Sequence, residues 1–110
     1  IDHVHLVVPD LAVSRRFYDA VFEVFAVPIA SGDGFFFADE FVVSEGSPVT
    51  GRVHVAFQAA DRAMVDRFYT AGLAGGGRDN RGEDVRVASD KASFVTVEII
   101  NASGGWYMGA

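Results

Sequence analysis

The feature that most constrains this chain is that it repeats itself. Sliding the sequence by 51 residues brings His3 onto His54, Val4 onto Val55, Asp10 onto Asp61 and Ala12 onto Ala63. It also brings Arg16 onto Arg67, Phe17 onto Phe68, Tyr18 onto Tyr69 and Ala20 onto Ala71. Ordinary composition predicts roughly one identity over such a span. A duplication keeps this spacing when both copies must occupy equivalent places in one fold. The expectation is one domain over 1–110, made of two units (1–50 and 51–110) that share a strand-helix-strand plan. Joined about a pseudo-twofold, the first strand of each unit lies near the centre, with His3 and His54 facing one another.

The local patterns agree with that plan. Ile1–Val8 alternates and is rich in β-branched residues, which predicts a strand. Asp10 precedes an apolar-periodic stretch, as an N-cap does, and Leu11 to about Glu23 reads as an amphipathic helix. Val24–Ile29, with Pro28, fits an edge strand or a loop. Ser31–Gly34 is a turn signal. Phe35–Phe37 and Phe41–Ser44 read as strands joined near Asp39 and Glu40. In the second copy Arg52–Gln58 reads as a strand, and Asp61 caps a helix over Arg62–Leu73. Gly75–Gly77 stop that helix. Arg78–Gly82 is polar and turn-like, and Val85–Val87, Ser93–Ile100 and Trp106–Met108 are candidate strands.

Composition narrows the chemistry. The net charge is −6 and Lys91 is the only lysine, so no basic footprint for nucleic acid or an anionic membrane is present. With no cysteine, disulfides, thiolate zinc sites and cysteine nucleophiles are excluded. No apolar run approaches the roughly 20 residues of a membrane span. No basic segment followed by an apolar stretch opens the chain, so no signal peptide is expected and a cytoplasmic location is the default. Nucleophile elbows, phosphate loops and dinucleotide-binding glycine patterns are missing. Gly75–Gly77 follow a helix rather than precede one, the wrong order for holding phosphate.

His-Val-His-Leu-Val-Val-Pro-Asp-Leu at 3–11, followed by Arg-Arg-Phe-Tyr-Asp, resembles the opening of the vicinal oxygen chelate superfamily. That superfamily includes glyoxalase I, extradiol dioxygenases and bleomycin-resistance proteins. His54–Asp61 resembles the start of its second half, and Gly76–Asn80 is similar to a loop of its small members. The resemblance implies an α+β fold of two βαβββ modules. Their eight strands would form a cupped, open mixed sheet with a helix outside each module, and the protein would be a homodimer.

By the same resemblance His3 and His54 are the first-strand ligands of a divalent metal (Fe, Mn, Ni, Co or Zn). The first module's second ligand would be Glu45 or, less well placed, Glu40. For the second module, gap-free spacing puts the position near Tyr107 or Met108. Glu98 takes it only if the last strand is 94–100. His5, two residues from His3, shares its face, and acts there as a proton-transfer group or packs in the cleft wall.

Two functions remain open. One is a metal-dependent lyase, isomerase or dioxygenase acting on a small oxygenated molecule. The other is a metal-free protein sequestering a small molecule on aromatic walls drawn from Phe35, Phe37, Phe41 and Trp106, with Met108 beside them.

Overall fold

The computed structural model describes residues 1–51, 53–79, 94–99 and 106–109, residue 79 and the last two stretches through their backbone. The elements run β1 (Val4–Val8), α1 (Leu11–Val24), β2 (Ala30–Gly32), β3 (Phe35–Ala38) and β4 (Phe41–Glu45). They continue with β5 (Val53–Gln58), α2 (Arg62–Ala74), β6 (Arg78–Asp79), β7 (Phe94–Ile99) and β8 (Trp106–Gly109). This α+β order repeats the same plan in each half.

Both helices begin where the duplicated aspartates stand. Asp10 is extended, and its carboxylate accepts from the Ala12 and Val13 N–H groups at 3.0 and 3.3 Å. Asp61 accepts from the Met64 N–H at 2.8 Å. Each satisfies N–H groups that the first turn leaves without an intrahelical partner. The apolar spacing then sets what each helix buries: Ser14, Phe17, Tyr18, Val21 and Phe22 from α1, and Val65, Phe68 and Gly72 from α2. The second helix stops at the glycine run, with Gly76 at φ +102°, a conformation that costs glycine little.

Among the described residues the strands are hydrogen-bonded as two mixed sheets of four. The first has the order β1-β4-β3-β2, with β1 parallel to β4 and the other pairs antiparallel. The second has the order β5-β7-β8-β6, with β5 antiparallel to β7 and β6 parallel to β8. The element order is duplicated, but the pairing is not: β1 joins the last strand of its half, whereas β5 joins the next to last.

Several boundaries differ from the sequence expectation. The first strand starts at Val4 rather than Ile1. Ala30–Gly32 is a strand paired with Phe35–Phe37, so the predicted turn shrinks to Asp33 and Gly34. Here the ladder with β3 overrides the turn chemistry of Ser31 and Gly32. Arg78 and Asp79 pair with β8 instead of beginning a turn. Val85–Val87 lies outside the described residues.

One core joins the two halves. Leu6, Val8, Phe36, Ala38, Phe41 and Val43 from the first sheet pack against Phe17, Tyr18, Val21 and Phe22 of α1, and Val65 and Phe68 of α2 belong to the same cluster. The helices meet closely. A Cβ on Gly75 would lie 3.0 Å from Ala20 Cβ and 3.2 Å from Phe17 Cα. Arg16 reaches across to the Ala74 carbonyl at 3.5 Å, where a cation complements the helix C-terminus.

Candidate functional site

Strand parity divides the first sheet into two faces. Leu6, Val8, Phe36, Ala38, Phe41 and Val43 point to α1 and are buried. The alternate residues His5, Val7, Phe35, Phe37, Val42 and Ser44 form the face turned away from the helix. That open face is the candidate site.

Its polar centre is a pair of side chains from neighbouring parallel strands. His5 lies opposite Val42, which puts it diagonally beside Ser44, and His5 Nε2 is 2.7 Å from Ser44 Oγ. A ring nitrogen and a hydroxyl at this distance share one proton between donor and acceptor. Their remaining donor and acceptor capacity is available to a ligand. The neighbouring strand supplies an aromatic wall. Phe35 and Phe37 are 36% and 39% exposed, with rings stacked at 6.3 Å and 18°. Gly32 makes room for this wall, because a Cβ there would run into the Phe35 ring. Thr50 holds the strand bearing His5 from its open edge: its Oγ1 accepts from the Val7 N–H at 2.8 Å and its N–H donates to the Val7 carbonyl at 2.9 Å.

The other expected site residues fall elsewhere. Glu45 shares parity with Phe41 and Val43, on the helix side, and its carboxylate accepts from the Leu11 N–H at 3.0 Å. It therefore acts as a second cap for α1. Glu40 belongs to the turn before β4. Phe41 is 6% exposed and packs on Tyr18 at 5.0 Å, so it is core rather than wall. His3 precedes β1, with its Nδ1 3.3 Å from an Asp2 carboxylate oxygen. His54 is exposed on β5, directly opposite Glu98. Tyr107 shares the row of His54 and Glu98. Trp106 lies in the row of Val53 and Ile99, and Met108 in that of Val55 and Val97.

These positions bear on the divalent metal that the resemblance implies. Among the described residues, no group of three or more His, Asp or Glu side chains is placed to hold a metal ion. The first half offers the His5 imidazole and a neutral hydroxyl on the open face, while Glu45, the carboxylate expected to join them, lies on the helix side and caps α1. The described donors of the first half do not by themselves complete a metal shell. Ser44 is the site residue that sequence reasoning missed. The signal was strand parity, hidden because Phe41-Val42-Val43 is apolar on both faces.

No family model matches the chain, and no curated protein does. Among solved structures it is similar to a glyoxalase/bleomycin resistance protein from Albidiferax ferrireducens T118, with a TM-score of 0.67 and 23% identity. The likeness covers 98% of this chain and 95% of that one. The chain thus has the fold of a glyoxalase/bleomycin resistance protein, as the resemblance at His3–Leu11 and His54–Asp61 implied. Among the described residues, no helix is long and apolar enough to cross a membrane.

Proposed function

We propose that the protein binds a small oxygen-bearing molecule with a planar apolar body on the open face of its first sheet, as a sequestering protein rather than a metalloenzyme. The observation that carries this reading is the His5–Ser44 pair beside the exposed Phe35 and Phe37 rings. Few polar groups set into an apolar wall suit a ligand that stacks on the rings and is oriented by one or two hydrogen bonds. Of the two activities in the structural neighbour's description, bleomycin resistance is the closer analogy. Val4, Phe35 and Phe37 leave apolar surface exposed, and a homodimer in which a second copy covers part of that surface fits the reading. Light scattering tests this part, and a monomer at micromolar concentration would rule it out.

A library of aromatic acids, phenols and amides screened by thermal shift is the first test. A hit should lose at least tenfold affinity in Ser44→Ala and in Phe37→Ala, with little change in the unliganded Tm because both side chains lie on the open face. Hits that bind both variants as tightly as the parent would overturn the proposal.

A metal-dependent lyase, isomerase or dioxygenase is the second reading. It is favoured by the cross-strand register of His54 and Glu98, an imidazole opposite a carboxylate. Its test is elemental analysis of untagged protein: about one equivalent of Fe, Mn, Ni, Co or Zn, lost in His54→Ala, would put this reading first.

A further inference from the structure

On the helix side of the first sheet, away from the face bearing His5 and Ser44, a cavity of about 370 Å³ opens between the two halves. Its floor is aromatic. Phe22, Phe41 and Phe57 pack edge to face in all three pairings, at 5.8, 5.5 and 5.5 Å with interplanar angles of 79°, 77° and 73°. Its rim is acidic, since Asp39 and Glu40 of the β3–β4 turn line the same cavity. No Lys or Arg side chain is among its described lining residues, and neither carboxylate has an ion-pair partner among the described residues.

We infer that this cavity is a second binding site, and that it takes a small organic cation with an apolar body. The aromatic floor, where the half-buried Phe25 and Phe57 rings line the cavity, attracts an ammonium group held against it, and two carboxylates at the mouth supply the complementary charge. The net charge of −6 adds a favourable long-range field for a cation. A neutral apolar ligand would satisfy the floor and leave the rim unused. An anion would be repelled by it. The volume lies at the small end of ligand sites, which fits an amine carrying one ring better than a large drug.

The test uses benzyltrimethylammonium and its uncharged carbon isostere, neopentylbenzene, titrated into the full chain and followed by NMR at the Met64 methyl, which lines the cavity. The cation should give a saturable shift, and the isostere should bind at least tenfold more weakly. The double variant Asp39→Asn/Glu40→Gln should cut cation affinity at least tenfold. Asparagine suits position 39 because it tolerates the left-handed backbone there, φ 50°. Phe37→Ala should leave cation binding unchanged, which separates this site from the open face. Equal binding of the isostere, unchanged affinity in the double variant, or no saturable shift at millimolar cation would each overturn the inference.

Discussion

At the scale of single residues, the structure separates groups that look alike in the sequence. Glu45 and Ser44 are adjacent, yet one caps a helix and the other faces the open sheet. Glu45→Ala should therefore cost stability of about 1 kcal/mol, the usual value of a lost cap, or roughly 4 °C in Tm. It should not change the affinity of any ligand found on the open face. Differential scanning calorimetry together with a binding titration checks both halves, and a lost ligand with an unchanged Tm would contradict the geometry. Tyr18 makes a second case. Burial pushes its phenol well above the usual value of 10.0, because the ionised form is disfavoured away from water. The folded state then holds this proton more tightly than the unfolded chain does. The stabilisation is complete below pH 10 and is lost as pH rises further, by up to about 1.4 kcal/mol per pH unit. Tyr18→Phe should flatten that alkaline limb, read from urea midpoints at pH 8 and pH 11. An identical decline in both proteins would show that Tyr18 is not its source.

At the scale of elements, what was legible depended on how much of the signal was local. The two caps and the apolar spacing of Phe17, Tyr18, Val21 and Phe22 are local, so both helices were legible to within about a residue. Strand pairing is not local. Nothing within Phe94–Ile99 says that it will lie antiparallel beside β5, and nothing within Ala30–Gly32 outweighs its turn-like composition until β3 is placed next to it. Parity has the same limit: a strand apolar at three consecutive positions does not announce its buried face. The helix–helix contact was likewise hidden, because Gly75 reads as a stop signal and its closeness to α1 appears only in three dimensions. Gly75→Ala should destabilise the fold by about 1–3 kcal/mol, since a Cβ there meets Ala20 and the Phe17 backbone. Chemical denaturation measures this. A stabilised variant would mean that the helices separate without penalty.

At the scale of the whole molecule, the sequence repeat and the places where it breaks bear on how the two halves are joined. Both units kept the cap, the Arg-Phe-Tyr-x-Ala helix and a histidine ahead of them. These are the residues that position or pack the helices, together with one polar group per unit. The copies diverge where Leu6 of the first becomes Phe57 of the second. Leu6 is 2% exposed under α1. Phe57 instead reaches rings from both halves: Phe22, Phe25 and Phe41 of the first and Phe68 of the second, at 5.5, 6.2, 5.5 and 5.9 Å. One side chain therefore connects the halves and also forms part of the floor of the cavity between them. Phe57→Ala should cost about 3 kcal/mol, a large share of the roughly 5–15 kcal/mol that holds a domain together. Phe57→Leu restores the residue of the first copy and should recover more than half of that loss. If the halves depend on this contact, urea unfolding followed by Trp106 fluorescence and by far-ultraviolet dichroism should coincide in the parent and separate in Phe57→Ala. Coincident transitions in the variant would mean that the α1–α2 contact alone couples the halves.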